Sequence, residues 1–289
     1  MLLIFHYCQK SAFPFPRIRD FFCFVVFFCA MICKKPEDKA MTTENPGRLI
    51  ILSGPSCVGK SPLDRALGRL YPDLRNVLQG LVLYNSRDPR PGETDGVDYY
   101  FRTEEQVKAL ASQERYVVMD VRGDIQALDL EELSTLLDKG DVFFEGNPFV
   151  GEALLTHPRL AAISKLSVFM APLSREELVY LRECGVPLDG LITDVMRRKL
   201  LRRTRKQKGE LSQKDLENIE KRASSTCEEL KKAHQFDYVI PNHDGEDSEN
   251  WDAFYYPLGD ARSALLGFVA LLRGKEPHNF EQWEQDLIT

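Results

Sequence analysis

The sequence predicts an α/β protein in which a mainly parallel sheet is covered by helices on both faces. Three observations carry this. Short apolar runs ending in turn residues alternate with stretches of helical periodicity, the order that builds parallel strands joined by crossover helices. One of those runs, Leu49-Ile50-Ile51-Leu52, leads directly into Gly54-Pro55-Ser56-Cys57-Val58-Gly59-Lys60-Ser61, a complete P-loop set between strand and helix. Finally, 289 residues that are 43% hydrophobic and 28% charged suffice for one large core with insertions and do not require two separate domains.

The elements follow in order. A first strand is expected over 48–52, after Pro46-Gly47, and the helix after the P-loop places Leu63, Ala66, Leu67 and Leu70 at helical spacing. Pro62 falls in the first turn of that helix, where a missing N–H costs little. A second strand-like run, 81–84, leads into Ser86-Arg87-Asp88-Pro89-Arg90-Pro91-Gly92-Glu93, whose prolines and glycine specify an ordered polar loop. Next come Asp98-Tyr99-Tyr100-Phe101 and a helix from Thr103, with Glu104 and Glu105 suited to its first turn. Buried-strand candidates are Val142-Phe143-Phe144, closed by Glu145, and 166–170, followed by a helix with Ser174 and Glu177 as a capping box. A last strand, Tyr238-Val239-Ile240, ends at Pro241-Asn242. Before it lies a long polar helical section with Arg197, Arg198, Lys199, Arg202, Arg203, Arg205, Lys206 and Lys208, which reads either as a solvated face or as a lid closing arginines over phosphates. Residues 244–252 are expected to be an acidic surface loop and 261–272 a closing amphipathic helix; the tail after Arg273 carries no functional signature.

The P-loop fixes the first piece of chemistry. Gly54 and Gly59 allow the tight turn that converges backbone N–H groups, with those of Pro55's successors Ser56, Cys57 and Val58, on the phosphates of ATP. Lys60 brings a positive charge to the β- and γ-phosphates, and the Ser61 hydroxyl is suited to a Mg²⁺ shell. Cys57 stands where a third glycine is common, so its Cβ must be tolerated there.

Composition narrows the remaining classes. A formal charge of −6 and a pI near 5.5 argue against a general nucleic-acid binder and suit a cytoplasmic enzyme. Of seven cysteines, four (Cys8, Cys23, Cys29 and Cys33) lie in the first 33 residues and the others are scattered, with neither a disulfide framework nor zinc spacing. Residues 1–46 form a leader of distinct composition with an apolar heart at 21–33, shorter than the roughly 20 residues of a spanning helix. The expectation is a disordered leader or a misassigned start, with Met31 and Met41 as alternative starts, rather than a membrane anchor or a signal or transit peptide.

From Arg48 to Leu272 the chain resembles the guanylate kinase family. The likeness is carried by Ser53-Gly54-Pro55-Ser56, by the block from Ser86 to Phe101, and by His234-Gln235-Phe236-Asp237-Tyr238-Val239-Ile240-Pro241-Asn242, in the family's order and approximate spacing. The resemblance implies a three-layer P-loop nucleoside-monophosphate-kinase fold over 47–273, with an acceptor-binding insertion at about 84–140, a helical lid at about 196–222 and a tail at 274–289. It implies that Arg87, Arg90 and Tyr99 grip the acceptor phosphate, for which two forked guanidiniums and a phenol are well suited. It also implies that Arg222 and a lid arginine among Arg202, Arg203 and Arg205 stabilise the transferring group, and that Asn242 contacts adenine, the alternative being an Asx-turn role. Glu145, closing an apolar strand, takes the place of a carboxylate that orients Mg²⁺-bound water.

The sequence departs from the family at its base-reading positions. Val117 stands in place of a guanine-reading glutamate, Gln126 in place of a phosphate-binding tyrosine, Leu83 in place of a serine, and Glu145-Gly146-Asn147 in place of an acidic strand end, with Asp120 as a substitute base reader. The expected function is phosphoryl transfer from ATP to a nucleoside monophosphate, GMP by resemblance. Two alternatives stand beside it: a non-catalytic module binding phosphorylated or acidic partners, which the intact Lys60-Ser61 disfavours, and a kinase with another small-molecule acceptor.

Overall fold

The computed structural model describes residues 47–90 and 92–288, so the leader and its apolar segment lie outside the described residues. The central sheet has five parallel strands in the order β2-β7-β1-β8-β9: β1 Leu49–Ser53, β2 Gln79–Gly80, β7 Val142–Gly146, β8 Lys165–Ala171 and β9 Tyr238–Pro241. β1 is buried along its whole length, which is why it reads as an unbroken apolar run and not as an alternation. Its residues divide between two cores according to the twofold period of a strand. Leu49 and Ile51 join Phe144, Phe169 and Val239 on one face, where the helices Leu130–Leu137, Pro148–Thr156 and Arg175–Glu183 pack. Ile50 and Leu52 join Phe143, Met170 and Ile240 on the other, beneath Lys60–Leu70 and Gly259–Leu272. The three-layer α/β architecture expected from the sequence is therefore present.

The strand expected over 81–84 is found shifted, at Leu83–Asn85, with a separate two-residue strand just before the expected run. Gln79–Gly80 ends the parallel sheet, and Leu83–Asn85 (β3) begins a second sheet of order β4-β3-β6-β5, with β4 Tyr99–Phe101, β5 Tyr116–Val121 and β6 Asp124–Asp129. The β5–β6 hairpin turns on Arg122 and Gly123 at φ +60° and +82°, the paired left-handed conformation of a tight hairpin. This mixed layer, antiparallel except for the parallel β3–β4 pair, faces the P-loop, which the Arg122 guanidinium reaches at Ser56.

Two helices, Leu188–Lys208 and Gln213–Ser224, form a helical hairpin over the segment expected to be a lid. Met196, Leu200, Ile219 and Ala223 make a small third core, and its partner from the body of the protein is Cys57 of the P-loop. The tail joins the fold as well. Glu281 exchanges two backbone hydrogen bonds with Val239 on the outer edge of β9, and Trp283, Leu287 and Ile288 are buried against the core. Among the described residues no helix is long and apolar enough to cross a membrane.

Candidate active site

The P-loop leaves β1 at Ser53 and returns as a helix at Lys60. Gly54 at φ +145° and Gly59 at φ +103° supply the turn, and neither position has room for a side chain: a Cβ on Gly54 would stand 2.4 Å from the Met170 carbonyl, and one on Gly59 2.6 Å from Asn242 Nδ2. Cys57 adopts φ +67° and is fully buried. Burial and nearby Glu246 push its thiol up to about 12, so it is a packing group and not a nucleophile. The helix begins without a side-chain cap, leaving its first N–H groups facing the loop, and Pro62 is accommodated in the first turn.

Lys60 is buried and curls back so that Nζ donates to the Gly54 and Pro55 carbonyls at 2.8 and 2.7 Å. Burial lowers its pKa, against the attraction of Glu246, Glu145 and Glu229. Ser61 Oγ donates to Glu145 Oε1 at 2.6 Å, joining the start of the helix to the end of β7. Burial raises the Glu145 carboxyl, opposed by Lys60 and Ser61. This hydroxyl and carboxylate beside the P-loop are hard oxygen donors of the kind that fit Mg²⁺. Among the described residues no cluster of three or more His, Cys, Asp or Glu side chains is gathered for a metal.

Across the cleft, Arg87 is held by a forked pair to Glu93, with distances of 2.6 and 2.7 Å, and lies over the Tyr99 ring at 5.1 Å. The Asn85 carboxamide fixes its backbone N–H at 3.2 Å. Tyr99 is largely withdrawn from water, which raises its phenol pKa. Arg90 is nearer the surface, with Glu93 accepting its backbone N–H and standing 3.9 Å from its guanidinium.

Arg222 lies half-buried near the end of Gln213–Ser224. Burial lowers the pKa of its guanidinium, and Arg87 adds like-charge repulsion, while Glu246 and Glu229 oppose both effects. Among the described residues Arg222 forms no ion pair. Arg205 is exposed on the lid helix; two positions earlier and on the opposite side of the turn, Arg203 points inward and pairs with Glu246 at 2.6 Å.

Four groups here carry no signal in the sequence. Arg122, at the hairpin tip, donates to Ser56 Oγ of the P-loop at 3.2 Å and pairs with fully buried Glu229, 107 residues away. Glu246 and Asp247 come from the stretch expected to be a surface loop, which instead lies against the P-loop. Asn242 explains part of that placement: it is fully buried, and its Nδ2 donates to the Val58 and Asp244 carbonyls at 2.8 and 2.7 Å.

The positions at which the sequence departs from the family pattern have structural partners. Leu83 is buried, Val117 packs against the main core, and Gln126 is buried opposite Asn85 in the β3–β6 register. Asn147 caps the helix Pro148–Thr156 by accepting the Phe149 N–H at 2.8 Å, an Asn-Pro helix start. Asp120 is exposed, alternates with Val117 and Val121 along β5, and accepts the Gly123 N–H in the hairpin turn.

Comparison with known proteins gives the same outline. A family model described as guanylate kinase matches residues 46–126, which span the P-loop and most of the acceptor lobe. A curated guanylate kinase of Alkalilimnicola ehrlichii is 31% identical over 201 residues, covering 69% of this chain and 82% of the relative. This chain belongs to the guanylate kinase family. A second guanylate kinase, from Synechococcus, is 29% identical over 228 residues, covering 78% of this chain and 89% of its own length. A solved guanylate kinase from Anaplasma phagocytophilum aligns over 79% of this chain and 86% of its own at 19% identity, with a TM-score of 0.48.

Proposed function

We propose that this guanylate kinase family member transfers the γ-phosphoryl group of ATP to a nucleoside monophosphate, with GMP as the acceptor that its relatives' name indicates. One observation carries the reading: the P-loop, with Lys60 on its own carbonyls and Ser61 bonded to Glu145, stands on one side of the site, and Arg87, clamped by Glu93 over the Tyr99 ring, stands on the other. Such an arrangement is stabilised when an anion lies between the cations, and a phosphoryl group passing from donor to acceptor is that anion.

The roles follow from position. P-loop N–H groups and Lys60 hold the donor phosphates, after Lys60 exchanges its carbonyl partners for phosphate oxygens. Arg87, Arg90 and Tyr99 hold the acceptor phosphate, and the Glu93 clamp keeps Arg87 aimed, so little ordering is left to the moment of binding. Arg222 neutralises charge that spreads over the equatorial oxygens in the transition state. Ser61 and Glu145 would hold Mg²⁺ and its water, and the ion supplies charge neutralisation at the β- and γ-phosphates. The test is ADP formation by the purified chain with MgATP and a panel of GMP, AMP, CMP and UMP. Turnover with one of them that Lys60→Ala removes supports the proposal; ATP consumption by none of them overturns it. Leu83 and Val117 are the reason for including the other bases, because an apolar floor leaves the N–H groups of guanine without carboxylate partners there.

A further inference from the structure

We infer that the segment Asp244–Asp247 is a built-in occupant of the donor phosphate site, an internal acidic competitor that must withdraw before a triphosphate can bind. The inference rests on the reading of the P-loop as the ATP site.

The contact is made first by backbone. A Cβ added to Gly245 would stand 2.3 Å from the Cys57 carbonyl, so the chain lies directly on the P-loop and only glycine allows the approach. The two residues that follow place their carboxylates among the cations of the site. Glu246 pairs with Arg203 at 2.6 Å, its side chain 17% exposed. Burial alone would raise its carboxyl, but the positive charges of Arg203, Lys60 and Arg222 hold it below the ordinary range. Asp247 has a side chain 8% exposed, stands 3.9 Å from Cys57 Sγ and pairs with Arg202 at 2.9 Å. Lys60, Arg203, Arg202 and Arg222 are the positive groups that would neutralise ATP phosphates, and the protein's own carboxylates already draw on them. Lys60 meanwhile has its ammonium on two loop carbonyls and not directed outward.

The segment is well secured. Asn242 ties the Val58 carbonyl to Asp244, and the Trp251 indole donates to the Asp244 and Gly245 carbonyls at 2.8 and 3.1 Å. Lys199 of the lid donates to the His243 carbonyl, so the lid helix and the segment close over the loop together. A ligand that binds only the withdrawn form has its apparent affinity reduced by the fraction of molecules in that form. The protein therefore restrains ATP binding by charge competition, and the restraint is set by Glu246 and Asp247.

The test compares the full chain with a Glu246→Gln, Asp247→Asn double variant and with Glu249→Gln, whose carboxylate is exposed nearby. Calorimetric titration with MgATP is read beside hydrogen exchange of the 54–60 amides without nucleotide. The double variant is expected to bind ATP about tenfold more tightly and to exchange faster at the P-loop, while Glu249→Gln matches the parent in both. Unchanged P-loop exchange in a folded double variant, or ATP bound by both proteins with equal affinity, overturns the inference. Faster exchange with ATP bound by neither protein leaves the occupant standing and removes the kinase reading instead. Should the double variant fail to fold, the parent decides the matter: added MgATP must speed exchange over 244–252 while slowing it over 54–60, and protection of both segments overturns the inference.

Discussion

The donor and acceptor sides of the cleft are built by different means. On the donor side the recognising groups are backbone amides, set by two glycines whose conformations leave no room for a side chain. On the proposed acceptor side they are side chains held by neighbours: Arg87 by Glu93 and by the Tyr99 ring beneath it, and Arg90 beside the same Glu93. A site made of backbone can change partners only by changing fold. A site made of side chains can be altered one substitution at a time, which is how the proposed acceptor side would keep its hold on phosphate while Leu83 and Val117 change what meets the base.

That contrast can be broken most sharply at Lys60, a side chain within the P-loop itself. Lys60→Ala is expected to lower ADP formation by about 10³-fold in a steady-state assay; a loss below tenfold would mean that the backbone alone carries donor recognition. Next in size, Arg87→Ala should raise the KM for the monophosphate by about 10²-fold while the KM for ATP stays within a few fold. Equal effects on both substrates would merge the two sides into one. A smaller change sharpens the acceptor side: Val117→Glu should shift the kcat/KM ratio of GMP to AMP toward GMP by about tenfold, at the cost of some thermal stability because Val117 packs on the core.

The smallest expected effect is a pH dependence at the segment above the P-loop. The His243 ring stands 2.6 Å from Asp260 and 2.9 Å from Glu177; burial alone would lower its pKa, but these carboxylates raise it above its ordinary value near 6.5. The stability His243 contributes is therefore fully present below that unfolded value and is lost as pH rises through the raised folded one. The Tm difference between the parent and His243→Asn should shrink between about pH 6 and pH 9, and a difference that grows with pH would reverse the assignment.

Legibility in the sequence followed the same division. β1, β7, β8 and β9 were readable because a parallel strand covered on both faces must be apolar throughout, and the P-loop because its glycines and lysine answer to local backbone geometry. The β5–β6 hairpin was not, since its turn is Arg-Gly, where Asn-Gly or Asp-Gly would have signalled it, and Tyr116–Val121 does not alternate cleanly. Nor was the edge strand Gln79–Gly80, because a glutamine and a glycine carry no apolar pattern to announce it. The Arg122–Glu229 pair joins residues 107 apart, and such distant pairing leaves no trace in spacing. The acidic run 244–252 misled for a physical reason: charge density argues for solvent unless opposite charges await it, and those come from a lid helix some forty residues earlier.

Trp251 gives the molecule an optical property. The chain has two tryptophans. Trp283 lies with the tail near the outer edge of β9, while the Trp251 ring would stand 3.1 Å from a Cβ on Gly59. Its indole is dry and hydrogen-bonded beside the phosphate loop, so its emission is that of a buried fluorophore and shifts to the red when water reaches it. In a Trp283→Phe background the protein's own fluorescence thus reports, without any label, whether the chain above the P-loop is seated or displaced.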